Sequence, residues 1–551
     1  MTDASSGELL VGANITLRPA GQSSDLLGAA ANDVGQFELS SVLPGTYTLR
    51  VTFTGYAPYI DRKFEVGDAD QLQLDIRLEP TFVSFSEVVV VTASRYEQRA
   101  IDAPAAVSIV LEDEIRSRPV INPSEHLKGL PGVDVASVGI GQDNVVIRGF
   151  NLAFDPGRVL FLTDNRIASI PSIATNNYSF TPAGDEDIER IEVVSGPGSA
   201  VYGPNALGGV LHIITKSPFD SEGTRVSISG GERSVFLTSF RHASILSPKV
   251  AAKISGEYFR ADDWQVIDPL DPDSIILGTT SGSGRQTFGG LIPNTPDFGQ
   301  ERFSGEARID FRANGDLTAT FTGGFTQGTN MGLGEGGLMQ IKDWQYGFVQ
   351  ARVYYRELQA QAYYTKSDSK DSYLRRNGDL IDDKSSMFVA QVQHSSSLHD
   401  GAQRLTYGAD VLLTRPDTGI HGRNSDDDDI NEFGAYLQSE TRLLDRLKFI
   451  AAARVDNNNR LDNPVFSPRA GLVFTPSPNH RLRLTYNRAF ESPRSSSLFL
   501  DLLVAESLGP LPYGIRYRGV PSETGFTYPT RDDGGLLMQS PFNPPSNGGP
   551  S

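Results

Sequence analysis

Between Arg302 and Arg312 the chain alternates without a break. Phe303, Gly305, Ala307, Ile309 and Phe311 fall on one parity; Arg302, Ser304, Glu306, Arg308, Asp310 and Arg312 fall on the other. A period of two belongs to an extended strand, and one face here is uncharged while the other is almost entirely ionic. Asn314-Gly315-Asp316 turns the chain, and Leu317, Ala319, Phe321, Gly323 and Phe325 repeat the apolar face against Thr318, Thr320, Thr322 and Thr326. The same hairpin returns later. Phe433, Ala435 and Leu437 oppose Tyr436, Gln438 and Glu440, and Leu444-Asp445-Arg446 leads into Leu447, Phe449, Ala451, Ala453 and Val455; Arg469 to Thr475 and Arg481 to Asn487 flank Pro476 to Asn479. Short turns alternate with long polar connections, expected at Asp262 to Gln300, Gln327 to Lys342 and Arg415 to Asn431, which is the pattern of a barrel that faces lipid outside and water inside. A soluble β-sandwich also alternates, but strands of about 10 residues with charged inner faces and unequal turns fit it poorly. Roughly 13 segments are countable from about residue 223 onward. Single-chain bacterial barrels have even strand numbers, so the wall is expected to be incomplete.

Composition narrows the remaining classes. An excess of 67 acidic over 49 basic residues argues against nucleic acid as a partner. The absence of cysteine excludes disulfide scaffolds, thiolate metal sites and cysteine nucleophiles. No run approaches the apolar length of a transmembrane helix, but a barrel keeps average hydropathy near that of a soluble protein, so the mean hydropathy of −0.26 does not oppose one. Met1 is followed by a polar stretch instead of a leader, and Gly509 to Ser551 is rich in Pro and Gly, from which a sequence lacking its original start and end is expected.

Ahead of the barrel, residues 1–80 read as a small β domain. Gly35 to Leu39 alternates, Leu43-Pro44-Gly45 turns, Tyr47, Leu49, Val51 and Phe53 resume, and Leu72, Leu74, Ile76 and Leu78 line another strand. This order resembles the carboxypeptidase-regulatory-like module, a transthyretin-type sandwich, and implies no enzyme. Glu87 Val88 Val89 Val90 Val91 Thr92 Ala93 is strand-forming, and suits either a linker or an edge strand that a partner augments. Residues 96–218 mix short helices and strands. Leu127 to Val133 reads Leu-x-x-Leu-Pro-Gly-Val, Ile147 to Phe150 reads Ile-Arg-Gly-Phe, and Gly-Pro, Tyr-Gly and Gly-Gly follow between 196 and 209.

These three ordered motifs resemble the plug domain of TonB-dependent outer-membrane receptors. The resemblance implies a mainly β chain: a sandwich over 1–80, a linker with the TonB box over 81–95, an α+β plug over 96–218 and a partial antiparallel barrel with long extracellular loops over 219–551. It places Glu87 to Ala93 at the TonB box, which pairs with an energy-coupling protein in the periplasm. Two positions depart from the pattern. Asn165 replaces the glycine of an Asp-Gly turn, which Asn tolerates. Ser195 replaces an arginine that in the family helps fasten plug to wall, leaving Arg148 as the expected plug–barrel contact and a less firmly locked plug.

Little in the sequence points to chemistry. The seven histidines form no zinc spacing, Asp426 to Asp429 resembles a calcium loop but has Glu432 where the turn needs Gly, and no catalytic set emerges, so no enzyme, cofactor or metal is expected. Gly332-x-Gly334-x-x-Gly337 lacks a βαβ context and reads as surface loop. The resemblance implies energy-coupled import of a siderophore–iron complex, glycan or peptide across the outer membrane of a Gram-negative-type bacterium, with outer-membrane lipid around it and a surface lipoprotein as a further partner. Tyr178, Phe180, Trp264 and Trp344 are the candidate ligand contacts, being aromatics on expected loops. The alternative is a surface binding or adhesion protein without energy-coupled transport.

Overall fold

The structure, a computed structural model, describes residues 1–4, 7, 9–19, 27–53, 56, 59–67, 72–78, 89–90, 92, 98–99, 103–149, 158–281, 284–313, 315–334, 337–477, 480–505 and 515–519. Glu87, Val88, Val91, Ala93 and Phe150 lie outside the described residues, as do 79–88 and 520–551. The chain divides into two compact units, residues 1–89 with 99–102, and residues 90–98 with 103–551.

In the first unit an antiparallel sheet has the order β2-β1-β3-β4, from β1 (Asn14–Pro19), β2 (Leu27–Ala30), β3 (Gly45–Thr52) and β4 (Tyr59–Val66). Ile15 and Leu17 on β1 and Tyr47, Leu49 and Val51 on β3 turn the same way and bury a core with Ile76 and Leu78. Gly35 to Leu39 is not a strand. Asn32 accepts from the amides of Val34 and Gln36, and Gly35 takes φ 70°, so a side-chain-capped turn replaces the alternating segment. Phe37 and Leu39 still pack on the core from outside the sheet. Two further strands, β5 (Val89–Val90) and β6 (Gln98–Arg99), pair with each other.

The plug is built on a five-stranded mixed sheet. It contains β7 (Ala106–Leu111), followed by α1 (Glu112–Ser117); a hairpin of β8 (Val133–Ser137) and β9 (Asp143–Ile147); then β10 (Val159–Thr163), β11 (Arg166–Ile167), β12 (Ile188–Ser195), α2 (Ser199–Tyr202) and β13 (Gly209–Thr215). The sheet order is β11-β10-β13-β12-β7, with β10 and β13 parallel. Strands β12 and β13 are buried over nearly their whole length, as their continuous apolar runs require. Pro123–Leu127 is a 3-10 segment, closed by a capping box between Asn122 and Glu125.

The wall is a 14-stranded antiparallel sheet in which 13 strands lie in chain order. They are β14 (Gly223–Gly230), β15 (Phe236–Ser247), β16 (Val250–Asp262), β17 (Gly299–Arg312), β18 (Leu317–Gly334), β19 (Gly337–Tyr355), β20 (Leu358–Asp368), β21 (Ser386–Leu398), β22 (Gln403–Arg415), β23 (Ile430–Leu444), β24 (Leu447–Asn458), β25 (Val465–Ser477) and β26 (His480–Asn487). The short Tyr373–Leu374 pairs laterally with β19. Burial runs opposite to that of a soluble sheet. On β17 Arg302, Glu306, Arg308 and Asp310 are buried whereas Phe303, Ile309 and Phe311 are exposed. Val226, Ile254, Phe321, Val349, Leu437 and Leu484 continue the exposed apolar band across neighbouring strands. A band of this kind is stable only against lipid. Connections of two to four residues join β15–β16, β19–β20, β21–β22 and β23–β24 at one edge, and segments 263–298, 369–385 and 416–429 form the other. One expected connection is largely replaced by strand: the described residues 327–334 and 337–342 belong to β18 and β19, which pair from Leu317↔Tyr355 up to Gly334↔Gly337. The Gly332 to Gly337 motif therefore sits at a hairpin tip.

Lipid exposure of this band is testable by charge insertion. Phe321→Arg, at the middle of the apolar run Leu317 to Phe325 on β18, destabilises the folded protein in vesicles by about 2–4 kcal/mol, and Leu317→Arg, beside the turn, by about 0–1 kcal/mol. Denaturant unfolding in lipid measures both.

Candidate functional site

Three features of the second unit bear on function: how the plug is fastened to the wall, how residue 92 is fastened to the plug, and what lies at the long-loop end. The inward face of the wall is ionic, and a buried charge needs a partner. Asp187, on the approach to β12, receives Arg241 Nε of β15 at 2.8 Å and Lys253 Nζ of β16 at 2.6 Å, and all three are buried. Asp164, in the β10–β11 turn, accepts from Thr215 N and Oγ1 at 3.1 and 2.6 Å and lies 3.8 Å from Arg308. Its backbone carbonyl accepts from Gln350 and Arg352 of β19. Burial alone would raise the Asp164 carboxyl, but Arg352, Arg308 and Lys253 hold it well below the usual carboxylate range. Arg166 Nη1 reaches the Tyr346 hydroxyl at 2.7 Å while its guanidinium lies 3.6 Å over the Phe348 ring. Arg302 of β17 bonds Asn122 and the Ile121 carbonyl on the plug.

Arg148, the expected plug–barrel contact, takes no part in this arrangement among the described residues. That residue is exposed, has φ 46°, and makes no ion pair among the described residues; Ser195 is buried in β12. The plug is fastened with the opposite polarity, by its carboxylates Asp164 and Asp187 against cations on the wall.

Thr92 is the described residue of the expected TonB box whose side chain is placed, and it is docked on the plug sheet. Its N–H donates to Glu192 Oε2 at 2.8 Å, and its carbonyl accepts from the Tyr202 hydroxyl at 2.6 Å. Its Oγ1 lies 2.9 Å from His212 Nδ1. The backbone N–H of Asn165 donates to His212 Nε2 at 3.0 Å, so that nitrogen carries no proton and Nδ1–H is the donor to Thr92. Asn165 has φ 67°, the conformation that the departure from glycine had to tolerate. Burial pushes His212 down to about 4, opposed by Glu192 and Asp164 and assisted by Arg190 and Arg352. Burial would raise Glu192, but Arg190 and the bonds from Thr92 hold it below its ordinary value. Sequence reasoning missed Glu192 and His212. The available signal was a polar residue inside each of two apolar strands, Ile191-Glu192-Val193 and Leu211-His212-Ile213.

At the long-loop end the Ser137 to Asp143 tip of the β8–β9 hairpin meets the β16–β17 connection and the β18–β19 tip around a cavity of about 680 Å3. Trp264, Val266, Phe298, Met331, Leu333 and Leu338 supply an apolar lining, with Asp143, Asp263 and Glu125 the acids and Lys128 the base. Lys128 is already paired with Glu125 at 3.1 Å. Of the four aromatic candidates, Trp264 alone lines this cavity; it is 56% exposed and stacked under Arg233 at 4.8 Å. Tyr178 packs in the plug core on Phe161, and Phe180 is buried against Trp344 and Tyr346 at the plug–wall seam. Trp344 spends its Nε1–H on Ser367. These three are packing residues: Tyr178 and Phe180 lie on a plug segment beneath the wall, and Trp344 points inward from wall strand β19 onto Phe180. The acidic loop is also internally satisfied: Asp427 pairs with Arg460, Asp428 with His421 and Asp429 with Arg415.

Three family models match the chain. The description "TonB-dependent Receptor Plug Domain" matches residues 99–210, "TonB dependent receptor-like, beta-barrel" matches 256–532, and "Carboxypeptidase regulatory-like domain" matches 1–79. The Vitamin B12 transporter BtuB of Vibrio vulnificus is 28% identical over 426 residues, covering 76% of this chain and 65% of the relative, so the chain spans less than two thirds of that protein. The Ferric enterobactin receptor PirA of Pseudomonas aeruginosa is 28% identical over 287 residues, 48% of this chain and 35% of the relative. A crystal structure of the ferric enterobactin receptor PfeA from Pseudomonas aeruginosa superposes with a TM-score of 0.58 at 19% identity, covering 79% of this chain and 68% of that one, which is a likeness of fold.

Two outcomes follow. Asp187→Ala takes from buried Arg241 the acid it pairs with and leaves Lys253 only Glu306, at 3.7 Å, and it costs about 3–5 kcal/mol, read as release of the plug at lower denaturant. Docking of Thr92 is also pH-dependent. Once released, His212 is solvated and titrates near 6.5, against about 4 when docked. The docked state is thus at full strength above pH 6.5 and weakens as the pH falls toward 4. Maleimide labelling of Val90→Cys, in a chain with no other cysteine, rises over that interval when normalised to the denatured protein at the same pH, which corrects for the falling thiolate fraction.

Proposed function

The chain belongs to the TonB-dependent receptor family, outer-membrane β-barrels of Gram-negative bacteria, and on that premise we propose that it imports a ligand across the outer membrane with energy supplied through residues 87–93. The ligand settles in the mouth cavity, an energy-coupling protein in the periplasm engages the segment around Thr92, and the plug yields to the pull. No bond in the ligand changes. The observation that carries this reading is that Thr92 is fastened to the same plug domain whose β8–β9 tip floors the mouth. A cavity of about 680 Å3 receives a ligand of several hundred daltons whole, or one face of a larger one.

The lining also bears on the ligand. Its acids outnumber its single, already paired lysine, and a polyanion such as a ferric tris-catecholate would meet like charge there. Trp264, Val266 and Phe298 favour a broad apolar face. Within the classes open from sequence, and with a vitamin B12 transporter and siderophore receptors among the relatives, this favours a neutral or cationic ligand over a trianionic one.

Cells expressing the protein, with and without residues 87–93, are given cyanocobalamin and ferric enterobactin as neutral and trianionic probes. The expected result is binding of the neutral probe by both forms, with accumulation only in the intact form and lost on collapsing the proton gradient. Accumulation at the full rate after deletion removes energy coupling, and binding without any energy-dependent accumulation favours the adhesion alternative.

A further inference from the structure

Where β22, β23 and β24 face the plug, acids outnumber bases. Asp410, Gly434 and Asp456 form one row across the three strands, and Glu432 stands two residues further along β23. Gly434 leaves the slot between the two aspartates open, since a Cβ there would collide with the Arg454 guanidinium that fills it. Arg454 donates through Nη1 and Nη2 to the two oxygens of Asp410, at 2.8 and 2.7 Å, and through Nε to Asp456 Oδ1 at 2.7 Å. One cation thus serves two carboxylates. Glu432 receives neutral donors, Ser492 Oγ at 2.6 Å and Asn458 Nδ2 at 3.0 Å. Arg494, the other base nearby, pairs with Glu491 at 3.4 Å.

The three acids line a cavity of about 100 Å3 between wall and plug, which reaches Thr414 and Ile430 toward the long-loop edge. Ser172, Tyr202 and Asn205 close it from the plug, and none of the described plug residues on this lining is basic. Met387, Val389, Leu412 and Ile430 make much of the remaining wall lining apolar, so charge is poorly solvated there. The Asp456 side chain is only 9% exposed, and its Oδ2 accepts no hydrogen bond among the described residues. A buried carboxylate oxygen in that position calls for a partner from outside the chain. Three carboxylates against Arg454 leave two negative charges unmatched, which a divalent cation balances and water does not. Glu432 and Asp456 are diagonal neighbours across β23 and β24, a separation of about 7–8 Å that one hydrated ion can span. Among the described residues no three acidic or histidine side chains converge as metal ligands. The ion therefore keeps part of its water shell, for which the cavity has room.

We propose that this chamber holds one partly hydrated divalent cation, Ca2+ or Mg2+, with Asp456 Oδ2 and Glu432 as its carboxylates, and that the ion clamps the plug to the wall at the place where the plug offers no cation of its own. Because the plug forms one side of the chamber, the ion binds the assembled form and opposes release of the plug by mass action.

The protein in phosphatidylcholine vesicles is stripped with EDTA and titrated with Ca2+ and with Mg2+. The expected result is one ion bound per chain and release of the plug at higher denaturant than in EDTA, an effect that Na+ at equal ionic strength does not reproduce. Glu432→Gln and Asp456→Asn each retain a hydrogen-bond acceptor and lose a charge; each weakens binding at least tenfold and removes the shift in denaturant. Asp429→Asn, in the acidic loop outside the chamber, changes neither. Plug release in the parent that does not respond to divalent ions would overturn the proposal, as would parental affinity in both chamber variants or loss of binding in Asp429→Asn alone. The parental titration needs no variant, so it decides even where a substitution prevents folding.

Discussion

A wall whose inner face is ionic, wrapped around a solid plug, must neutralise that face pair by pair, because the plug displaces the water that would otherwise solvate it. The remaining organisation depends on this requirement. Lys253, Arg241, Arg308 and Arg352 come from strands up to about 110 residues apart in sequence, and they converge on Asp187 and Asp164. These contacts fix the height and rotation of the plug. They also fix the β10–β11 turn, whose Asn165 N–H selects the His212 tautomer that holds Thr92. The seat of the extension is thereby linked to the wall through one turn, with Gln361 of β20 bonding the Asn165 carbonyl from the other side.

What was legible in the sequence was local. The two-residue period of β17 and β18 fixes which side chains share a face, and the structure keeps each of them on that face, with the apolar parity outward. The plug motifs at Leu127 to Val133 and Ile147 were recognisable because tight turns restrict residue choice within a few positions. Pairings across the fold were not legible. Asp187 and Lys253 are 66 residues apart, and nothing in the neighbourhood of either names the other. Arg148 was nominated from a motif, yet its own turn places it outside, with φ 46°. Polarity misled at Gln327 to Lys342, where Gly, Asn and Gln suggested a loop, because above the lipid a strand pair no longer needs an apolar face. Aromatic residues misled for a related reason: Phe180 and Trp344 lie in segments without strong periodicity, and their burial comes from the plug–wall seam, which a single chain trace does not reveal.

Function divides along the same axis as the fold. At the long-loop end a hairpin of the plug and connections of the wall enclose an acidic, aromatic mouth. Deeper in the plug, three hydrogen bonds from β12, β13 and α2 hold one threonine. Between them runs the five-stranded sheet, whose buried strands β12 and β13 carry both Glu192 and His212 and end beside Asp187 and Thr215, the residues bound to Lys253. One sheet thus borders both the fastening to the wall and the fastening of the extension.

The reversed polarity of the plug has an evolutionary corollary. A stopper bearing arginines in place of Asp164 and Asp187 would bring cation to cation against this wall, taking from Arg241 the acid it pairs with and leaving Lys253 and Arg308 only the wall's own Glu306 and Asp310. Recombination that exchanges stoppers among relatives is penalised at this joint, and the two parts are expected to be inherited as a matched set.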